Sequence, residues 1–188
     1  MTYSTLRTIA LAAMLAVGCQ LAAQSTTQPA KRPEETKKLE QSRAKWLKLK
    51  EQHGGSYEYF VRWQSWVGFG HVTTIVVRDD KVVERRFRKW SGKPAQPGQP
   101  PQDESWTEDE DQLGSHKEGA PPKRIDELYD EAAEILQADL QPHHKLYLLF
   151  HKNGVLKGCF YVDTRIADDA PTVGPRIDGI SFPKEQSP

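Results

Sequence analysis

The stretch from Ile125 to Val162 constrains the fold most, because it has the pattern of one amphipathic helix followed by one β-hairpin. Apolar residues recur at helical spacing over its first part and form a single stripe, with acidic residues on the other face. The stripe consists of Ile125, Leu128, Tyr129, Ala132, Ala133 and Leu136. After a break at Pro142, two apolar runs flank Asn153-Gly154, a pair typical of a type I′ turn. An apolar stripe needs a surface to cover it, so we expect the helix at 125–137 to pack on a sheet.

The preceding half of the chain predicts a helix and three strands. A helix should begin at Pro33 and end at Gly54-Gly55, with Trp46 reaching the core. Alternating apolar and polar residues predict a strand at Ser56–Trp66, and β-branched runs predict strands at Val72–Arg78 and Lys81–Trp90, which should form a meander. The short run Arg176–Phe182 predicts a last strand. The sequence therefore predicts an α+β fold, with an antiparallel sheet of about five strands (meander, helix, hairpin) and a helix packed on one face.

The segment at 91–123 has no periodic pattern and is rich in proline and acidic residues. A segment of this length without a pattern predicts a long loop. The spacing from Thr107 to Glu110 is that of a capping box, which predicts one helical turn within it. The predicted organisation is a single domain at 33–188 that carries this Pro/acid-rich loop.

The N-terminus has the pattern of a bacterial export signal. Arg7 precedes an apolar run of residues 9–17, which is too short for a membrane-spanning helix and ends at Gly18-Cys19. This ending resembles a bacterial lipobox, in which the cysteine becomes lipidated, although Ala16 stands where leucine is commonest. The sequence thus predicts a signal peptide at 1–18, a lipid on Cys19 and a flexible tether at 19–32. Cleavage without lipid near Ala22–Gln24, which would give a periplasmic or secreted protein, and a buried N-terminal helix are the alternatives.

A basic cluster on the third predicted strand is the main candidate interaction surface. It contains Arg85, Arg86 and Arg88, and Trp106 is the large aromatic residue of the loop that follows. Lysine plus arginine and aspartate plus glutamate both number 26, and this balance argues against a nucleic-acid partner. We expect the acidic loop to fold back across the cluster and to form mostly exposed, weak ion pairs with it.

Metal-binding patterns are incomplete. His143, His144 and His151 would serve as ligands only if the fold brought them together, and their spacing matches no strong zinc pattern. The acidic run at 109–114 resembles the start of an EF-hand loop, but Leu113 and Ala120 occupy positions that need oxygen ligands. The sequence therefore predicts no metal site, and weak calcium binding by the acidic loop is the alternative.

Catalytic and cofactor patterns are also lacking. Asp168-Asp169 fits a turn better than a general acid–base pair, since neighbouring residues usually point apart. Cys159 has no base beside it in the sequence and fits a buried apolar position. We find no phosphate-binding loop, nucleophile elbow or dinucleotide fingerprint, and we predict no catalytic residue and no cofactor.

Several short motifs, taken in order, resemble the secreted bacterial proteins grouped as domain of unknown function 6174. They are Trp46 at the end of a basic helix, Tyr57-x-Tyr59, the hairpin at 76–82, Ile125-Asp-Glu-Leu-Tyr129, Gly158-Cys-Phe160, Val162-Asp163 and Ala167-Asp-Asp169. Asp80 and Phe160 depart from the glycine and proline usual in that family, and its first-strand cysteines are missing. The resemblance implies an α+β envelope domain. It brings no known activity, so no catalytic residue carries over.

These observations favour an exported, lipid-anchored cell-envelope protein that acts as a non-catalytic binding module. Its expected partners are the membrane, through the lipid, and a protein, peptide or other envelope component. The alternative is a hydrolase-like envelope enzyme with its site between the sheet and the 91–123 loop. An enzyme should have a concave cavity with convergent polar groups of shifted pKa, and a binding module should have an exposed apolar patch.

Overall fold

A computed structural model describes residues 31–92, 103–166 and 170–183. The predicted signal peptide, Cys19, most of the tether and Asp168-Asp169 lie outside the described residues. None of the described helices combines the length and the apolar character that crossing a membrane requires. The elements are α1 (Pro33–Gln52), β1 (Tyr57–Gln64), β2 (Gly70–Arg78), β3 (Lys81–Trp90), β4 (Glu104–Asp109), a 3₁₀ turn (Glu110–Gln112), α2 (Ile125–Gln137), β5 (His144–Phe150), β6 (Leu156–Asp163) and β7 (Gly179–Ser181).

The predicted α+β fold is confirmed, but the strands that form the five-stranded sheet are not all those that the sequence predicts. The meander of β1, β2 and β3 forms the centre of a five-stranded antiparallel sheet in the order β4-β3-β2-β1-β7. The hairpin of β5 and β6 is a separate two-stranded sheet. Two isolated bridges, Gly158 with Arg176 and Tyr161 with Val173, join β6 to the segment that leads into β7. The two outer strands of the large sheet therefore come from the 91–123 segment and from the C-terminal run.

β4 is a correction to the sequence analysis, which predicts a loop with one helical turn in this region. Residues 104–109 pair with β3, with Trp106 opposite Phe87 and Glu108 opposite Arg85. The 3₁₀ turn begins at Glu110, after the strand, and not at Thr107. A six-residue strand with three acidic residues carries no recognisable alternation, so only its pairing with β3 identifies it.

The two hairpin turns differ in type. Asp79 and Asp80, between β2 and β3, have φ values of +48° and +62°, as a type I′ turn requires. In the β5–β6 hairpin only Gly154 has positive φ, at +81°, so the predicted type I′ turn at Asn153-Gly154 is wrong. Gly154 N–H donates to the carbonyl of His151 at 2.8 Å, and the strand register shifts beside this turn. β5 and β6 are thus joined by a longer hairpin connection, which contains a left-handed glycine and is flanked by a bulge.

Both helices pack on one face of the sheet, as predicted for α2. Trp46 of α1 is fully buried and meets Tyr57 of β1 edge to face, with ring centroids 4.8 Å apart. The Tyr129 hydroxyl of α2 lies 2.7 Å from Ser42 Oγ in α1 and accepts a hydrogen bond from the N–H of Leu156 in β6. This buried contact ties the two helices and the hairpin together. Trp63, farther along β1 from this core, is 41% exposed.

Candidate functional site

Arg85 of the predicted basic cluster is buried and not part of a surface. Its side chain is 2% exposed, and its Nη1 atom lies 2.9 and 3.0 Å from the two carboxylate oxygens of Glu108, which is fully buried. The guanidinium also donates to the carbonyls of His116, Glu118 and Ala120. Arg85 is thus a structural anchor, and the expectation of exposed, weak pairs is wrong for it because the 114–120 backbone covers the pair.

The Glu108 carboxylate is held by more than Arg85. It accepts hydrogen bonds from the N–H groups of Gly114 and His116 at 2.7 and 2.6 Å, and from Ser115 Oγ at 3.1 Å. Burial alone raises the pKa of this carboxyl, but the hydrogen bonds from His116, Gly114 and Arg85 outweigh burial and lower the pKa to about 2. The pair therefore stays ionised and fixes the end of the 91–123 segment on the sheet.

Arg86 and Arg88 lie on the opposite, outer face of the sheet and are exposed. Arg86 forms ion pairs with Glu58 at 2.7 Å and with Glu84 at 2.9 Å, the exposed kind that the sequence predicts. Arg88 and Arg62 flank Val72 on one row across three strands, and neither has an ion pair within the described ranges. Of the four predicted interaction residues, the structure thus leaves only Arg86 and Arg88 on an open face.

Trp106 belongs to a row of neighbouring aromatic rings on the inner face of the sheet. The row runs across the strands from Trp63 through His71 and Phe87 to Trp106, with neighbouring ring centroids 5.0 to 5.8 Å apart. Arg85 lies over the Trp106 ring at 4.6 Å, and the ring of His116 stacks on it at 4.2 Å. Trp106 is thus half-buried under the 114–120 segment, and it does not form a surface with Arg86 and Arg88.

The other end of this row is exposed and forms the tip of the β1–β2 hairpin. Trp66 is 94% exposed, and Trp63, Val67 and Phe69 are 41%, 51% and 42% exposed. Half of the eight exposed large hydrophobic residues of the described chain therefore lie within seven consecutive positions. We call Trp63, Trp66, Val67, Phe69 and Trp90 the aromatic tip; a depression of about 410 Å³ lies among Trp63, Phe69 and Trp90.

The backbone of the aromatic tip is held in place. The Trp90 indole Nε1 donates to the carbonyl of Gly68 at 2.8 Å, and the N–H of Ser65 donates to the carbonyl of Phe69 at 2.9 Å. A Cβ atom at Gly70 would lie 2.8 Å from the Trp90 ring, so the glycine allows Trp90 to lie against the turn. The exposed aromatic side chains are thus presented by a closed turn, which reduces the conformational entropy lost when a ligand binds.

A cavity of about 360 Å³ lies between the sheet, residues 119–121 and the segment before β7. This is where the enzyme alternative places its site. Among its lining residues, Glu131 pairs with Lys123, and Thr73 Oγ1 accepts from the N–H of Ala120 at 3.0 Å. Tyr59, Arg62 and Arg176 also line the cavity, and His71 contributes an imidazole whose pKa is lowered by burial and by Lys89, which favours the neutral ring.

Cys159 lies outside this cavity and is fully buried beneath α2, where Sγ contacts the carbonyl of Ala132 at 3.7 Å. Burial raises the pKa of its thiol to about 11, so the thiolate that a nucleophile needs is disfavoured. The expectation that Cys159 packs as an apolar residue agrees with this position.

The candidate histidines are divided between the two ends of the β5–β6 hairpin. His151 Nε2 lies 2.9 Å from the carbonyl of Ile177, near the turn. His143 and His144 lie at the open end, and their ring nitrogens and a carboxylate oxygen of Asp163 are all within 4.8 Å of one another. The sequence groups the three histidines as candidates and does not indicate Asp163, since its position opposite His144 depends on the strand register.

No family model, curated protein or solved structure matches this chain. The resemblance to domain of unknown function 6174 therefore stays a hypothesis that depends on the short motifs.

Proposed function

We propose that this protein is a non-catalytic binding module of the bacterial cell envelope, and that it binds a protein partner through the aromatic tip. The observation that carries this proposal is the clustering of exposed Trp63, Trp66, Val67 and Phe69 on one fixed turn. Soluble domains rarely expose contiguous apolar surface without a use for it, and tryptophan and arginine are the residues that contribute most binding energy at protein interfaces.

Charge around the aromatic tip indicates the character of the partner. Arg62 and Arg88 reach the outer face beside it, with no ion pair among the residues that the structure describes. Lys89, on the inner face, is 3.9 Å from the carboxylates of Glu104 and Glu118, at the limit of an ion pair. The aromatic tip thus has an apolar centre and a cationic rim. Such a surface is complementary to a partner surface that has an apolar patch rimmed by acidic residues.

The binding role is favoured over the hydrolase-like alternative because of what lines the cavity at residues 119–121. Of its charged groups, Glu131 and Arg176 pair with Lys123 and Asp178, and Arg62 is a cation that supplies neither a nucleophile nor a base. Thr73 accepts a hydrogen bond from a backbone N–H. His71 is left as a lone base without a nucleophile hydrogen-bonded to it in the described ranges. A single neutral imidazole does not form the nucleophile–base pair that hydrolysis by covalent catalysis needs.

Site-specific photo-crosslinking tests the proposal. A photoreactive amino acid replaces Trp66 in the full chain expressed in its native envelope, and a matched variant carries it at Leu149, an exposed apolar residue of β5 that is 40% exposed. We expect position 66 to give one discrete protein adduct, whose yield falls when Arg62 and Arg88 are both replaced by glutamate. Position 149 should give none.

Three results would contradict the proposal. Adducts of position 66 with lipid alone would indicate that the aromatic tip contacts the membrane. Equal adduct patterns at positions 66 and 149 would show that exposure alone accounts for crosslinking. An adduct that the charge reversals leave unchanged would remove the acidic-partner argument.

The membrane anchor is a separate part of the proposal and depends on Gly18-Cys19. Cys19→Ala should move the protein from the membrane fraction to the soluble fraction of the envelope, because no lipid would then be attached. A wild-type protein that is already soluble, or a variant that stays in the membrane fraction, would refute lipidation.

A further inference from the structure

We propose that the open end of the β5–β6 hairpin is a binding site for a divalent transition-metal cation of the Zn²⁺ class, with His143, His144 and Asp163 as ligands. This inference is independent of the aromatic tip. Within residues 31–92, 103–166 and 170–183 it is the one group of three histidine, cysteine or acidic side chains whose ligand atoms lie within metal-binding reach of one another.

The backbone brings these three side chains together and restrains them. His144 begins β5 and lies opposite Asp163, the last residue of β6, in the antiparallel register. Thr164 fixes the neighbouring position, since its N–H and its hydroxyl both donate to the carbonyl of His143, at 2.9 and 2.8 Å. The ring of His144 stacks on Tyr161 with centroids 4.6 Å apart. The site thus lies on a paired strand end and not on a free loop.

The distances between the ligand atoms are slightly longer than those in an occupied metal site. In a tetrahedral site with metal–ligand bonds of about 2.0–2.1 Å, neighbouring ligand atoms are about 3.4 Å apart. His143 Nε2 lies 3.8 Å from Asp163 Oδ2, too far for a hydrogen bond and close to that separation. No two of these ligand atoms are more than 4.8 Å apart, and since the rings are partly exposed we expect side-chain rotation to bring the atoms closer.

The ligand set selects the class of ion. Two imidazoles and one carboxylate suit Zn²⁺, Cu²⁺ or Ni²⁺, whereas Ca²⁺ and Mg²⁺ prefer oxygen ligands alone. Three protein ligands leave at least one coordination position for water or for a group from a partner molecule. Because His143 and Asp163 keep 28% and 19% of their side-chain surface exposed, an ion reaches the site from solvent.

Arg165 is the competitor for Asp163. Its Nη2 atom lies 2.6 Å from Asp163 Oδ2, and its Nε atom 3.0 Å from Oδ1. The Arg165 side chain is 66% exposed, and exposed ion pairs are weak, so a doubly charged cation displaces the guanidinium readily. Removing the Arg165 side chain should therefore strengthen metal binding.

Isothermal titration of the metal-stripped full chain with Zn²⁺ tests the site. The wild-type protein should bind one ion per chain saturably, and His144→Ala and Asp163→Asn should each weaken affinity about tenfold or more. His53→Gln is the matched control, because His53 lies at the end of α1 and stacks on Phe182, and its affinity should equal that of the wild type. Circular dichroism confirms that each variant is folded.

Two further measurements separate this site from other ligands. Arg165→Ala should tighten binding, and the Co²⁺-loaded protein should show weak d–d absorption with no thiolate-to-cobalt charge-transfer band. The proposal is overturned if the wild type shows no saturable binding, if His144→Ala binds as tightly as the wild type, if Arg165→Ala binds more weakly, or if a thiolate band shows that cysteine is the ligand.

Discussion

Replacing Glu108 with glutamine isolates the buried ion pair that fixes the 114–120 segment. In the wild type the carboxylate faces Arg85 with both oxygens and accepts the N–H groups of Gly114 and His116, one on each oxygen. An amide has one oxygen and one NH₂ group. Whichever way the amide is turned, its NH₂ group meets one of the two backbone N–H donors, and the buried guanidinium loses its counter-charge.

The expected cost follows from these contacts. A buried donor left without an acceptor costs about 1–3 kcal/mol, and removing one partner of a buried ion pair costs about 3–5 kcal/mol in total. A domain of this size is stable by about 5–15 kcal/mol, so the loss is a large share. With an m value of about 2 kcal/mol per M in urea, a loss of about 4 kcal/mol lowers the unfolding midpoint by about 2 M.

The matched control is Glu58→Gln, which breaks the ion pair of Glu58 in β1 with Arg86 in β3 on the outer face of the sheet. That pair is 39% and 47% exposed, so its loss should cost about 0–1 kcal/mol. Urea unfolding followed by tryptophan fluorescence measures both variants. Equal midpoints for Glu108→Gln and Glu58→Gln would refute the reasoning, since they would show that burial of the Arg85–Glu108 pair makes no difference to stability.

Three further outcomes are expected. Leu128→Ala should lower the free energy of unfolding by about 2–5 kcal/mol, because Leu128 is buried between α2 and the sheet, whereas the exposed Glu134→Ala should change it by no more than about 0.5 kcal/mol; equal urea midpoints would contradict this. Because the pKa of Glu108 falls from 4.5 to about 2 on folding, the stability that its ionised carboxylate contributes is fully present above pH 4.5 and is lost as the pH falls to about 2. Thermal melts across this pH range should therefore show a steeper fall of the melting temperature in the wild type than in Glu108→Gln. Gly119→Ala should destabilise the fold, since φ is +80° there and a Cβ atom would lie 2.5 Å from Thr73 Oγ1; an unchanged melting temperature would disprove this close approach.

Local sequence pattern determined most of the regular elements. The helical spacing from Ile125 to Leu136 and the alternation after Tyr57 depend on neighbouring residues alone, so α2 and β1 are predicted within a few residues of their ends. Trp46 was also expected in the core, where it is fully buried. The prediction of which residues of α2 face solvent was less accurate. Glu131 belongs to the predicted polar face, but it is half-buried beside Lys123.

The aromatic tip was visible in the sequence only in part. Trp63 follows the alternation of β1, and the glycines beside Phe69 predict a turn. Tryptophan is a residue type that is usually largely buried, so the sequence favours burial of Trp66. Whether a given side chain is exposed depends on the residues that pack around it. The 94% exposure of Trp66 is therefore decided by the tertiary structure and not by the residue type.

The tertiary structure alone decided which distant residues meet. Arg85 and Arg86 are adjacent in a basic run, yet the pleat of β3 directs one into the core and the other to solvent, and only the position of β4 supplies Glu108 as a buried partner. Asp163 likewise lies opposite His144 because of the hairpin register. The sequence determined the local periodicities because they depend on neighbouring residues. Pairing between strands depends on contacts far apart in the chain, and no local pattern encodes those contacts.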